Sequence, residues 1–158
     1  MVKEKYLRQF PKELLSSSEE ILIVYKPWLG GFLIKPIILF IIGLLSLSIG
    51  IGVILILISL IWMVVNYLKW RATLYAITNK RIIVKKGIIG INYEDARIDK
   101  IQNIFLSQGI IGRLLNYGDI GFSTAGVMGL PIIEFKSCKS PKLVLKNANE
   151  IIARLKEK

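Results

Sequence analysis

Residues 36–68, PIILFIIGLLSLSIGIGVILILISLIWMVVNYL, contain no charged side chain. A buried core helix needs only about 10–14 apolar residues, whereas a run of this length is the mark of a membrane-spanning segment. As one helix it would reach roughly 50 Å, against a hydrocarbon core of about 30 Å. The middle of the run reads LLSLSIGIG, and its Ser46, Ser48, Gly50 and Gly52 are weak helix formers and good turn formers. The sequence therefore predicts two short helices, about 32–47 and 53–70, joined by a tight turn. Each is at the short end for a span, so the hairpin should sit shallow or thin the bilayer. Ser46 and Gly50 also have small-xxx-small spacing, which fits a hairpin because small residues let two helices approach.

The chain is 53% hydrophobic with mean hydropathy +0.55, yet its net charge is +11 over 158 residues. The two facts agree if the apolar residues lie in the membrane and the charge lies outside it. Lys26 and Lys35 precede the hairpin, Lys69 and Arg71 follow it, and its turn carries no charge. The positive-inside rule then places both ends in the cytoplasm, for a multi-pass protein of the cell membrane. Trp28, Trp62, Tyr67 and Trp70 lie at the expected boundaries, where interfacial aromatics collect, though each reads equally well as ordinary packing. The apolar run starts only at Phe32, which speaks against a signal peptide. Three regions result: 1–31 as an N-terminal cytoplasmic or interfacial segment, 32–70 as the hairpin, and 71–158 as a separate domain. Within the first, EKYLRQFPKELL starts an amphipathic helix interrupted by Pro11, and EEILIVYKPW is a short extended piece.

Beyond Lys69 the period changes. RATLYAIT, RIIVKKG, IIGINYEDARI and KIQNIFLSQ read as strands, the third with Ile89, Ile91 and Tyr93 alternating against Asn92 and Glu94. GIIGRLLNYG has helical spacing in Ile110, Ile111, Leu114 and Leu115. DIGFSTAG and LPIIEFKSC are two further strands, separated by AGVMG. The last element, 140–156, has Ser140 as N-cap and Pro141 at the first helical position. Its stripe of Val144, Ala148, Ile151, Ile152 and Leu155 reads as packing against the sheet. About six antiparallel strands and a helix make a small, partly open barrel or sandwich, with the helix over one open end.

The order LYAITNKRIIVKKGIIG, then DKIQNIFLSQGIIGRLLNYGDIGFSTAG, resembles the bacterial pleckstrin-homology-like family once called the membrane-flanking domain. The resemblance covers roughly residues 60–145, and a preceding hairpin is also typical of that family. It implies a mainly-β pleckstrin-homology-like barrel with a C-terminal α-helix, and it brings no catalytic residue with it.

The residues themselves argue against chemistry. There is no histidine and one cysteine, Cys138, so neither an internal disulfide nor a His/Cys metal cluster is available. Glu94, Asp95 and Asp99 are the one tight acidic cluster beyond the hairpin, and they read as solvated charge paired with Arg97 and Lys100. Ser123, Thr124 and Cys138 lack an activating partner, and no Gly-rich phosphate loop follows a strand. No catalytic residue, metal or cofactor is expected. From Lys69 onward sixteen Lys and Arg face seven Asp and Glu, a net +9. That would suit nucleic acid, but a domain tethered beside an anionic leaflet is basic for that reason alone. Tyr93, Phe105, Tyr117, Phe122 and Phe135 sit in strand patterns rather than as stacking platforms, so nucleic acid is not expected.

The expected task is recognition of a protein partner or an anionic lipid surface by a membrane-anchored cytoplasmic module. The alternative is a self-assembling membrane scaffold subunit, that is, a homo-oligomer. The first strand leads away from the bilayer and the second returns. Lys85 and Lys86 thus come back beside Lys69 and Arg71 as a candidate anionic-lipid surface. Lys80 and Arg81 stand at the far tip as the candidate partner-binding pair, where they read equally well as solvated turn residues.

Overall fold

The computed structural model describes residues 15, 16, 18–124 and 133–156. The amphipathic piece around Pro11 and the AGVMG connection lie outside the described residues.

The apolar run folds as two packed antiparallel helices, α1 (Leu29–Leu45) and α2 (Gly52–Ala72), with a 3-10 turn at Leu47–Ile49 between them. Gly50 closes the turn with φ of 80°, in the left-handed region. Close approach depends on Gly43 and Gly52. A Cβ on Gly52 would stand 2.5 Å from the Gly43 carbonyl oxygen, and one on Gly43 would stand 2.9 Å from Ile56 Cγ1. The small-residue contact is therefore made by Gly43 and Gly52, whereas Ser46 and Gly50 belong to the turn itself. Polar groups inside the run satisfy their own backbone. Ser59, fully buried, donates to the Ile56 carbonyl at 2.7 Å, and Asn66 donates to that of Trp62 at 2.8 Å. The first helix begins before the uncharged run does, so Lys35 and the buried Pro36 lie inside α1.

The β portion is two antiparallel sheets. One holds β1 (Ile21–Tyr25), β2 (Leu74–Thr78), β3 (Arg81–Lys86) and β4 (Asn92–Arg97), paired in that order. The other holds β5 (Ile101–Ser107), β6 (Tyr117–Thr124) and β7 (Ile133–Lys139). A single turn of helix, α3 (Ile110–Leu114), connects β5 to β6, and α4 (Pro141–Lys156) ends the described chain.

Three expectations change. The strand 21–25, read from sequence only as an extended piece before the membrane, pairs with β2, with Val24 opposite Ala76 and Tyr25 opposite Tyr75. The sheet therefore takes in residues from both sides of the hairpin. The third strand starts at Asn92, and Ile88, Ile89 and Ile91 form an exposed loop instead of an apolar strand face. Gly87 forces that break: its φ is 124°, and a Cβ there would come 1.7 Å from the Gly90 carbonyl oxygen. Finally, among the described residues the two sheets are separate hydrogen-bonded units and do not close into a barrel.

The core lies between the sheets and under α4. Tyr75, Ile77, Ile82 and Val84 from the first sheet meet Ile101, Ile120, Phe122, Ile133 and Phe135 from the second. Val144, Ala148 and Ile152 of α4 are buried against them, and Leu145, Ile151 and Leu155 pack at the margin. The helical stripe thus does pack on the sheet. Replacing Ile152 with Asp would bury an unpaired charge and should cost about 3 kcal/mol or more. In detergent-solubilised full-length protein the Ile152→Asp variant should lose its cooperative melting transition, while Leu143→Asp, at an exposed position of the same helix, should keep it. Equal melting of the two variants would show that α4 does not cover the core.

Candidate functional site

The candidate residues fall at the two ends of the first sheet. β3 runs back toward the hairpin, so Lys85 stands opposite Leu74, just past the end of α2. Lys69 and Arg71 occupy the last turn of that helix. Lys69, Lys86 and Lys136, the last a β7 residue unforeseen from sequence, line a cleft of about 440 Å³ whose other walls include Phe32, Ile88 and Ile89. Lys86 is held by Glu94 at 2.8 Å. Of the four expected surface bases, Lys69 and Lys86 share this cleft with Lys136, whereas Arg71 and Lys85 do not line it.

The opposite end is the β2–β3 turn. Lys80 is exposed there, and its ammonium donates to the Ser18 hydroxyl. Arg81 is placed differently from the sequence expectation of an open tip. Its Nε donates to Glu19 Oε1 at 2.9 Å, its Nη2 donates to Glu19 Oε2 at 3.0 Å, and Nη1 reaches Asp95 at 3.3 Å. The Glu19 side chain is 1% exposed and that of Arg81 27%. This paired fork fixes the guanidinium in one orientation. Thr78 adds a hydroxyl hydrogen bond to Glu19 at 2.8 Å. Asn79 ties the turn to the same segment, accepting from the Glu20 N–H at 3.1 Å and donating to the Ser18 carbonyl at 3.1 Å. The segment before β1 thus clasps the tip.

Glu19 is the residue that sequence reasoning missed. In EEILIVYKPW it is one of two adjacent glutamates, and only pairing β1 with β2 brings it to Arg81. Burial pushes its carboxyl up, but hydrogen bonds from Arg81, Thr78 and the Ser16 N–H, with the Arg81 charge, outweigh burial and hold it below the ordinary value. The same pairing raises Arg81.

Around this clasp lies an open cleft of about 770 Å³, whose walls include Lys80, Arg81, Asp95, Arg97, Asp99 and Lys156. The acidic cluster is distributed over it in ion pairs: Asp95 with Arg81, Asp99 with Arg97, and Glu94 with Lys86 beyond its edge. Lys80 and Arg81 share this cleft, and Lys85 and Lys86 do not, so the four bases in seven positions are split between two ends. Cys138 is buried, and desolvation, with the nearby Asp119 charge, pushes its thiol up to about 12. It is a packing residue and a poor target for thiol reagents.

The two-sheet arrangement with a C-terminal helix, and the split of the bases, set the frame for comparison with known proteins. The family model described as bacterial PH domain matches residues 29–158. The chain belongs to that family. The match begins at α1 and takes in the hairpin, both sheets apart from β1, and α4. No curated protein and no solved structure matches the chain. Bacterial PH domains are binding modules in general, and typically non-catalytic.

The clasp has a pH signature. Because the Glu19 carboxyl is depressed in the folded state, its contribution is fully present above the unfolded value of about 4.3. It is lost as pH falls through the lower folded value. In melts of the solubilised protein between neutral pH and pH 3, Glu19→Gln should remove about 2 kcal/mol at neutral pH. It should also flatten the acid limb, so that the two proteins converge as the pH falls. Parallel curves for the two proteins would show that the clasp does not govern the acid limb.

Proposed function

We propose that the protein is a membrane-anchored binding module: the α1–α2 hairpin sits in the bilayer, both chain ends face the cytoplasm, and the tip cleft meets a protein partner. The observation that carries this reading is a bare apolar hairpin standing on a basic foot. Ile37, Ile41, Val53, Leu57, Ile61 and Val64 are all exposed. So continuous an apolar surface is an aggregation hazard in water and is at ease in hydrocarbon. Among the described residues α2 is the one helix long and apolar enough to cross a membrane, and α1, at 17 residues, is apolar but shorter. A shallow hairpin in a locally thinned bilayer accommodates that difference.

On this reading Lys69, Arg71, Lys85 and Lys86 form the collar that sets orientation and meets anionic headgroups. The tip is one strand away, roughly 16 Å for five residues, and a leaflet's field fades within about 8–10 Å. Lys80 and Arg81 are thus beyond the reach of their own membrane. The mixed charge of the tip cleft suits a protein surface better than a polyanion. Arg81, held by Glu19, sets the cleft's shape, and Lys80 makes the contact.

Topology is tested with Gly50→Cys and Lys80→Cys. In intact cells a membrane-impermeant maleimide should label residue 50 and should reach residue 80 only after permeabilisation. The native Cys138 thiol should stay silent in both cases. Labelling of residue 80 from outside would invert the topology.

The partner is tested by cross-linking before gentle extraction. Lys80→Gln should lower recovery of a stoichiometric partner several-fold, and the Lys85→Gln, Lys86→Gln pair should leave it intact. Recovery of the chain only with itself, unchanged by Lys80→Gln, would replace the partner by a homo-oligomeric scaffold.

A further inference from the structure

Two exposed apolar features flank the hairpin's foot, one from each sheet. The first is the β3–β4 loop. Ile88, Ile89 and Ile91 are exposed there, Ile89 completely. Gly87, fixed by its positive φ and by the Gly90 carbonyl against it, gives the loop a set shape. The loop lies beside Phe32 of α1 and Lys69 of α2, with which Ile88 and Ile89 share a cleft. The second is α3, where Ile110 is 89% and Leu114 83% exposed. A Cβ on Gly112 of this turn would touch the Tyr117 carbonyl at 2.6 Å, and the Tyr117 ring packs on Trp28, just before α1, at 5.1 Å. Both features are therefore at the membrane end of the domain.

Single exposed apolar side chains are ordinary and need no explanation. Here three lie within four successive positions of one loop, and two lie a helical turn apart on α3. Bases stand next to each: Lys69 and Lys86 at the loop, Arg113 within α3. Apolar tips with a basic surround are the pattern of surfaces that enter the headgroup–acyl boundary of an anionic membrane. Resting on the hairpin reading above, we infer that the β3–β4 loop and α3 are two keels that dip into the cytoplasmic face of the bilayer on either side of the hairpin. The domain is thereby held against the membrane at two points besides its tether. The bilayer is the fitting occupant because the loop shares its cleft with Phe32 and Lys69 of the hairpin, α3 is linked through Tyr117 to Trp28 at the hairpin's start, and each carries its own bases.

Full-length protein in phosphatidylcholine–phosphatidylglycerol vesicles carries the test. Single variants Leu57→Cys, Ile89→Cys, Leu114→Cys and Lys80→Cys are labelled with an environment-sensitive fluorophore, the buried Cys138 remaining unlabelled. Bromine on the lipid acyl chains then quenches whatever reaches the hydrocarbon boundary. The inference expects quenching at residues 89 and 114 comparable with that at residue 57, and several-fold above that at residue 80. Quenching at residue 57 alone overturns the keels and leaves the hairpin standing. A fluorophore at residue 89 or 114 that shifts to the blue without quenching also overturns them, in favour of a protein contact. Absence of quenching at residue 57 removes the hairpin reading and the keels with it.

Discussion

The structure depends on one constraint: the hairpin is spliced between two strands that are neighbours in the same sheet. β1 ends at Tyr25 and β2 begins at Leu74, and Tyr25 pairs directly with Tyr75 beneath the helices. Paired strands stand about 4.8 Å apart, and packed helices 8–10 Å apart. The short link 26–28 and the single residue Thr73 have to absorb that mismatch, and several interactions hold them. The Trp28 N–H donates to the Ser137 carbonyl at 2.6 Å, and the Trp70 indole donates to the Pro27 carbonyl at 2.7 Å. The Lys26 ammonium lies 4.3 Å over the Trp70 ring. Thr73 donates its hydroxyl back to the Lys69 carbonyl at 2.7 Å. The aromatic residues at the foot of the hairpin thus join the apolar helices to the sheet.

The second fastening is between the sheets. Since no ladder joins them among the described residues, side chains do. The Tyr75 hydroxyl donates to the Lys136 carbonyl at 3.0 Å and accepts from the Lys136 N–H at 2.9 Å, and its ring stacks on Phe135 at 4.6 Å. Phe122 meets the same Phe135 edge-on at 5.0 Å. Tyr75 thereby spends its hydroxyl on the backbone of β7, one residue from the Trp28 contact at Ser137. Helices, first sheet and second sheet converge on this short stretch, with Arg81 and Glu19 closing the other end.

The parts of the fold governed by local pattern were legible in the sequence. The uncharged run, the Ser and Gly residues in its middle, the β-branched run in RIIVKKG closed by Gly87 and the stripe on 141–156 each marked an element by composition, period or turn chemistry. What was lost was non-local. ILIVY is five apolar residues without visible alternation, and its partner lies beyond the whole hairpin, so nothing nearby marks it as a strand. Glu19 became a site residue only through that pairing, and Arg81 accordingly looked open. Ile89 and Ile91 were misassigned for the reverse reason: apolar alternation was read as a buried face, although Gly87 and Gly90 had already broken the strand. Separation of the bases into tip and foot followed from strand direction alone, and so survived these errors.

The splice also orders events in time. As the chain emerges, β1 appears first and finds no partner, because Ala76, which Val24 must face, lies beyond both helices. Glu19 likewise meets Arg81 only then. Long-range pairing of this kind is paid in loop-closure entropy, but a hairpin already formed brings its two ends together and shortens the effective loop to a few residues. Pairing of α1 with α2 therefore comes before closure of the first sheet. The first sheet cannot be completed ahead of the hairpin, and a chain whose helices fail to pair is left with an unpaired apolar strand, the form most exposed to aggregation and to proteolytic removal.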